Sequence, residues 1–220
     1  VPVPARAAGV ASAAMSETIL VTGGAGYIGS HIAVELATRG YDVVLLDNFV
    51  NSTRAVLPCI AELAGRPVPC VEGDVRDSDV LRRAFHDHPV TGVVHCAGLK
   101  AVGESELRPL AYYDVNVGGT FALAEVMGEA GVAKLVFSSS ATVYGQPDKL
   151  PATEDTPVAP HSVYGRTKCV VEQFLRDLAP AQGPTAPPAR PPAGAEPVTR
   201  TLVLDANSRA LQWLRSADDV

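Results

Sequence analysis

The chain has no excess of basic residues and no long apolar run. Its 220 residues carry 18 Lys and Arg against 24 Asp and Glu, which gives a formal net charge of −6. An acidic surface repels a phosphate backbone, so the charge balance argues against nucleic-acid binding. No apolar stretch approaches the roughly 20 residues of a membrane-spanning helix, so no membrane partner is expected. With 47% hydrophobic residues, this length suits one α/β domain with a substantial core.

Cysteine is also scarce. Four cysteines are scattered through the chain without the paired spacing of a zinc site, and no metal site is predicted. Reduced thiols in the cytoplasm are the simplest interpretation of this pattern. The cysteines are Cys59, Cys70, Cys96 and Cys169.

A glycine-rich turn lies between two apolar runs near the start of the chain. Gly23, Gly26 and Gly29 are spaced three apart, and a helix is expected to begin near Tyr27. Glycines let the backbone approach a pyrophosphate closely, and a helix N-terminus offers it N–H groups. Asp47 ends the second apolar run, where a carboxylate can accept from ribose hydroxyls and disfavour a 2′-phosphate. The pattern predicts NAD rather than NADP; an ordinary βαβ turn without a ligand is the alternative.

Strand and helix signals alternate along the chain, which is typical of a Rossmann-like doubly wound parallel sheet. The predicted strands are 19–21, 43–46, 67–71, 92–95 and 134–137, and the predicted helices are 27–40, 54–63, 78–86, 107–128 and 162–178.

Three polar residues in this pattern are candidates for specific contacts, and two of them have two interpretations. Asp74 could contact an adenine edge, or it could cap the helix that begins near Ser78. His95 ends an apolar run and is expected to be a core histidine with hydrogen-bonded ring nitrogens. Asn116 stands among apolar neighbours, so it belongs to a structural network or contacts a cofactor. An apolar stripe on the same helix is assigned to the core: Phe121, Leu123 and Met127.

Tyr164 and Lys168 are four residues apart, so they share one face of a helix. A tyrosine is a poor base at neutral pH, but a nearby ammonium favours the phenolate and is expected to lower its pKa. The pair then becomes a proton acceptor suited to hydride abstraction from an alcohol carbon. Ser140, at the end of a predicted strand, could hydrogen-bond the hydroxyl of that alcohol. The spacing alone is common by chance and gains meaning only downstream of the glycine turn.

The segments TGGAGYIG, SSSATVYG and YGRTK resemble the extended short-chain dehydrogenase/reductase family. AGLKAVGES, YYDVNVGGT and DNFVNS make the chain similar to UDP-glucose (UDP-galactose) 4-epimerases within it. The resemblance covers about residues 18–179. It implies NAD-dependent epimerisation at C4 of a UDP-hexose through a 4-keto sugar, in galactose metabolism, and a possible homodimer.

The resemblance also implies a role for individual residues. Tyr164 is the base, Lys168 its partner, and Ser140 binds the reacting hydroxyl; Lys100, Ser140 and Tyr164 meet the substrate. The implied cofactor-binding residues are Gly23, Gly26, Tyr27, Ile28, Gly29, Asp47, Asn48, Asn51, Ser52, Asp74, Val75, Cys96, Ala97, Gly98, Lys100, Asn116, Tyr164 and Lys168.

Two departures from related patterns are informative. Nucleotide-sugar 4,6-dehydratases carry an Asp-Glu pair where this chain has Ala141 and Thr142, so elimination of water lacks its acid and base. Cys96 stands where an epimerase more usually has Phe, which is expected to alter only the packing near the cofactor.

The resemblance ends at about residue 180, where composition changes. Seven of the chain's eighteen prolines lie in residues 180–197, which indicates a linker. The expected organisation is a flexible extension at 1–15, an NAD-binding domain at 16–179, a Pro/Ala-rich linker at 180–198 and an unassigned tail at 199–220. The tail could form a strand at 199–204 and a helix at 206–215. The usual smaller C-terminal substrate domain is expected to be absent, as in a truncated or frame-altered product.

Three functions stay open at this point. The first is the 4-epimerase, with activity in doubt because the domain that grips UDP is not recognised. The second is a non-catalytic NAD-binding or interaction module. The third is another NAD-dependent nucleotide-sugar reductase.

Overall fold

The computed structural model describes residues 17–150, 152–153, 156–178 and 201–204. Six parallel strands form one sheet in the order β3-β2-β1-β4-β5-β6. Chain order therefore reverses between β1 and β4, which is where a doubly wound sheet opens a crevice at its carboxyl edge. The strands are β1 Thr18–Thr22, β2 Asp42–Asp47, β3 Cys70–Glu72, β4 Val90–His95, β5 Leu135–Ser138 and β6 Thr201–Leu204.

Helices cover both faces of this sheet, because the central strands are apolar on both sides. The fold class predicted from the sequence is confirmed. The helices are α1 Tyr27–Thr38, α2 Val56–Ala64, α3 Ser78–Asp87, α4 Val102–Leu107, α5 Pro109–Tyr112, α6 Gly119–Glu129 and α7 Val163–Leu178, with a π-helical turn at Tyr113–Gly118 and a 3-10 turn at Ala141–Tyr144.

Two apolar clusters hold the layers together. On one face, residues of α1 and α2 such as Leu36 and Ile60 pack on Leu45 of β2. On the other, α3, α6 and α7 pack on β4 and β5, where Leu123 and Phe137 are fully buried.

Several element boundaries differ from the predictions. The helix predicted at 54–63 begins two residues later, the strand predicted at 67–71 is reduced to Cys70–Glu72, and α4 was not predicted. The single helix predicted at 107–128 is interrupted by the π-helical turn. The strand expected at 199–204 is present as β6 and pairs with β5. The predicted domain boundaries stay predictions, and the segments predicted at 1–15, 180–198 and 206–215 lie outside the described residues.

Two side-chain assignments are also corrected. Asp74 does not cap α3: Asp77 does, by accepting from the backbone N–H groups of Asp79 and Val80. Phe121 is not in the core, since 43% of it is exposed. Its ring packs against that of Phe174, with the ring centres 4.4 Å apart and the planes tilted by 56°. Leu123 and Met127 are buried as predicted.

Candidate dinucleotide and proton-transfer site

The turn between β1 and α1 and the first turn of α1 each have a glycine at which there is no room for a side chain. Gly23 has a φ of +67°, and a Cβ there would lie 2.7 Å from the backbone N of Ala97. A Cβ on Gly29 would lie 2.2 Å from the carbonyl oxygen of Gly23. The glycine turn therefore packs directly on the loop after β4, and it depends on glycine at both positions.

The first turn of α1 is open to an anion. Its N-cap is Gly26, with no side-chain cap and no acidic residue in the first turn among the described residues. Tyr27 and Ile28 are exposed at the surface of the same turn. Uncapped N–H groups at the positive end of a twelve-residue helix suit a pyrophosphate, so the chain's own residues fit the predicted dinucleotide here.

Asp47 is buried at the end of β2 and ties the glycine turn to the loop that follows. Its Oδ2 accepts from the N–H of Ala25 at 2.9 Å, and its Oδ1 accepts from the N–H of Phe49 and the hydroxyl of Ser52, both at 2.8 Å. A carboxylate has about four acceptor positions, so this network leaves roughly one for a ribose hydroxyl. Asn51 is exposed in the same loop. The ribose contact stays a prediction, and the structural role of Asp47 was not foreseen.

A second polar cluster lies beyond the neighbouring strand β3. Asp74 accepts from the Nδ2 of Asn48 at 2.9 Å and from the guanidinium of Arg76, which also bonds Asp114. These hydrogen bonds, that of Arg76 above all, hold the pKa of Asp74 well below its usual value. Val75 is buried in the core, which leaves only its main chain for the predicted adenine contact.

Asn116 fastens the loop after β4 to α7. Its Oδ1 accepts from the N–H of Leu99 at 2.8 Å, and its Nδ2 donates to the carbonyl of Leu99 at 3.0 Å and to the hydroxyl of Thr167 at 3.1 Å. The π-helical turn turns this amide inward. The structural network expected as one of two alternatives is present, and a direct cofactor contact stays a prediction.

The loop after β4 joins the glycine turn to Lys168, one of the two candidate proton-transfer residues. Ala97 packs on Gly23, and a Cβ on Gly98 would lie 3.0 Å from Asn116 and 3.8 Å from the Nζ of Lys168. Cys96 directly precedes Ala97 in the chain and is partly buried, and this burial raises the pKa of its thiol to about 11. Lys100 is exposed at the far end of the loop.

Ser140, Thr142 and Tyr164 form a directed hydrogen-bond chain. Both the N–H and the hydroxyl of Thr142 donate to the Oγ of Ser140, at 3.2 and 2.9 Å. Since these bonds fill the acceptor positions of Ser140, its own proton is free to be donated to the phenol of Tyr164. This hydrogen bond favours the phenolate, although burial is the larger influence and raises the pKa of Tyr164.

The raised pKa of Tyr164 corrects the sequence-based expectation that Lys168 lowers it. The Nζ of Lys168 lies 5.8 Å from the centre of the Tyr164 ring, so the two are close as predicted. However, the ammonium donates to the carbonyl of Ser138 at 2.9 Å and stands over the ring of Phe137 at 4.6 Å. Burial is the largest influence on both groups: it raises the pKa of Tyr164 and lowers the pKa of Lys168 to about 8.

Two residues that sequence reasoning did not identify hold the start of α7. The Oγ of Ser105 accepts from the N–H of Tyr164 at 3.1 Å, and a carboxylate oxygen of Glu106 accepts from the N–H of Val163 at 2.7 Å. Both belong to α4, which caps α7 from a distant part of the chain. No local pattern in the sequence points to this pairing.

The other predictions for buried polar groups hold. The ring of His95 bonds Thr22 and Thr120 on its two nitrogens, as expected for a core histidine.

None of the helices in the described ranges is both long and apolar enough to cross a membrane.

Comparisons with known proteins agree with this arrangement. The profile of the NAD dependent epimerase/dehydratase family matches residues 19–193. Over 165 residues the chain is 52% identical to the UDP-glucose 4-epimerase of Neisseria gonorrhoeae, covering 74% of this chain and 49% of that protein. It is 51% identical over 160 residues to the UDP-glucose 4-epimerase of Bacillus subtilis, covering 73% and 47%.

Solved structures give the same result. The UDP-glucose 4-epimerase of Bifidobacterium longum, in complex with NAD⁺ and UDP, superposes with a TM-score of 0.72 at 48% identity, covering 73% of this chain and 48% of that one. The enzyme from Stenotrophomonas maltophila, with bound NAD and formylated UDP-arabinopyranose, gives 0.72 at 47% identity, covering 74% and 48%. The chain thus spans about half the length of the relatives it matches.

Proposed function

The chain belongs to the NAD dependent epimerase/dehydratase family, and from that premise we propose that it binds NAD and carries the proton-transfer residues of a UDP-hexose 4-epimerase of galactose metabolism. One observation carries the proposal. The glycine turn, the loop at 96–100 and the ammonium of Lys168 are in continuous contact, and Lys168 adjoins the phenol of Tyr164. A dinucleotide site and a proton-transfer group thus share one edge of the sheet.

The first turn of α1 and the glycine turn hold the pyrophosphate, and Asp47 meets the adenosine ribose. The Asp74 cluster and the main chain of Val75 face the adenine. When bound, NAD supplies a hydride acceptor for the C4 carbon of the hexose. The fold is established, whereas the roles of these residues are part of the proposal.

Tyr164 moves the proton of the 4-hydroxyl of the sugar. Its phenolic oxygen takes that proton and returns it at the end of the cycle. The hydroxyl of Ser140 exchanges its hydrogen bond to the phenol for one to the sugar hydroxyl. Lys168 favours the phenolate while its own nitrogen is charged. Ala141 and Thr142 carry no carboxylate, so these residues support epimerisation rather than dehydration.

Two further properties belong to the same proposal. A groove of about 460 Å³ between α6 and α7 is lined by the aromatic rings of Phe121 and Phe174 and by Leu178, and we assign it to the contact of a homodimer. The four cysteines form no disulfide within the described ranges, which supports a cytoplasmic location.

NAD binding by the 220-residue chain tests the first part of the proposal. Isothermal titration calorimetry and the NAD content of the purified protein measure it directly. Gly29→Ala should abolish binding, because the new methyl group would meet the carbonyl of Gly23. Gly128→Ala is the matched control, since its Cβ would meet no atom within 4 Å.

Turnover tests the second part. Conversion of UDP-galactose to UDP-glucose, with no net NADH formed, supports epimerisation. NAD binding without conversion favours the non-catalytic NAD-binding module, and net NADH consumption favours the nucleotide-sugar reductase. A wild-type chain that binds no NAD contradicts the proposal altogether.

A further inference from the structure

Helix α7 carries four polar side chains at intervals of four residues. They are Tyr164, Lys168, Glu172 and Arg176. This spacing places each side chain one turn beyond the last along a single face of the helix. The proposed function uses the first two positions and leaves the third, Glu172, without a role.

The end of β5 meets this face at three consecutive serines. Ser140 hydrogen-bonds Tyr164, and the carbonyl of Ser138 accepts from Lys168 at 2.9 Å. Between them, the hydroxyl of Ser139 donates to the Oε1 of Glu172. Tyr164, Lys168 and Glu172 thus each bond one of the three serines at the end of β5.

Glu172 is a buried carboxylate with a specific set of partners. Only 6% of its side chain is exposed, and its Oε2 accepts from the guanidinium of Arg176 at 3.0 Å. Arg176 is itself 55% exposed, so water screens its charge. A buried carboxylate is costly unless it is hydrogen-bonded and paired with a cation, and the other cation on this face is Lys168.

Three other titratable side chains lie around Lys168. His95 lies on the neighbouring strand and is buried and neutral, because burial lowers its pKa to about 3. Cys96 follows it, and its thiol is neutral at pH 7 because burial raises its pKa to about 11. Burial likewise raises the pKa of Tyr164. Glu172 is the acidic side chain that lies one turn from Lys168 on the same face of α7.

We propose that Glu172 is a positioning residue of this site: its carboxylate keeps Lys168 in the ammonium form and fixes α7 against the end of β5 through Ser139. This inference rests on the proposed function only in its consequence for catalysis, which is that a charged Lys168 favours the phenolate of Tyr164. The interaction itself is a property of the chain alone, and it can be measured without cofactor or substrate.

Titration of Lys168 by NMR tests the inference. The chain has four lysines, Lys100, Lys134, Lys149 and Lys168, so ¹³C-labelled lysine gives four ε-methylene signals. Lys168→Arg assigns the signal of interest, and the other three serve as references. In the wild type, the midpoint of Lys168 should lie near its pKa of about 8.

Glu172→Gln should lower the midpoint of Lys168 by about one pH unit, because it removes a negative charge while keeping the side-chain shape. Glu172→Asp keeps the charge and should restore most of the wild-type midpoint. Asp177→Asn is the matched control: it neutralises an exposed carboxylate on the same helix that bonds Gln173, and the midpoint should not move.

Arg176→Gln keeps the test decisive if Glu172→Gln does not fold. Its exposed guanidinium offsets part of the charge of Glu172, so its removal should raise the midpoint of Lys168. Equal midpoints in the wild type and in every folded variant of Glu172 and Arg176 would overturn the inference. That result would leave NAD binding and turnover untouched, so the two proposals fail separately.

Discussion

Acidification should destabilise the folded chain through His95, the histidine buried at the end of β4. Only 1% of this residue is exposed. The hydroxyl of Thr120 donates to a backbone carbonyl, that of Asn116, so it accepts from the Nε2–H of His95 at 3.0 Å. The hydroxyl of Thr22 lies 2.6 Å from Nδ1 and donates to it. The network thus assigns His95 as the neutral Nε2–H tautomer.

The size of the effect follows from the change in pKa on folding. Burial first, and then the charge of Lys168, lowers the pKa of His95 from 6.5 to about 3. Between these values the unfolded chain binds a proton that the folded chain excludes, so stability falls as the pH falls through this window. Complete loss corresponds to roughly 5 kcal/mol. Whole domains are stable by about 5–15 kcal/mol, so this one residue should largely determine acid unfolding.

Urea unfolding followed by circular dichroism at a series of pH values measures this loss. His95→Gln keeps one donor and one acceptor but does not titrate, so most of the fall between about pH 6.5 and pH 4 should disappear. His86→Gln is the matched control, because its side chain is 87% exposed and bonds only Asp87 among the described residues. An equal pH dependence in the wild type and in His95→Gln would refute the assignment of the loss to His95.

Two further predictions concern the proposed function. Tyr164→Phe should retain NAD, because it removes one oxygen and no phosphate contact, but it should lower any epimerase turnover at least about 100-fold; unchanged turnover would exclude Tyr164 as the base. Phe121→Asp should shift the molar mass in multi-angle light scattering from dimer to monomer, whereas Leu107→Asp, at an exposed leucine of α4, should not. A wild-type chain that is already monomeric would contradict the dimer contact.

The parts of the site that a short segment encodes were predictable from the sequence. The glycine turn is one example: Gly23 and Gly29 are needed by the local backbone, so their spacing reveals the turn. The order of strands and helices follows in the same way from apolar runs and their periodicity. The spacing of Tyr164 and Lys168 likewise placed them on one face of α7.

Contacts between distant segments were not predictable in this way. The hydrogen bond from the guanidinium of Arg76 to Asp114 joins residues 38 positions apart. The capping of α7 by Ser105 and Glu106 joins residues nearly 60 positions apart. Neither arrangement leaves a periodic signal, because the partner is chosen by packing rather than by sequence spacing.

The sign of the pKa change at Tyr164 shows the same limit most clearly. A spacing of four residues fixes the distance between the phenol and the ammonium, but the free energy of their interaction depends on burial. Burial opposes ionisation of both groups, so it raises the pKa of Tyr164 and lowers that of Lys168. A Tyr–Lys pair taken alone would therefore become less able to accept a proton as it became more enclosed. Burial stays the largest influence on both groups, and groups outside the pair oppose it in part: Ser140 favours the ionised form of Tyr164, and Glu172 favours that of Lys168.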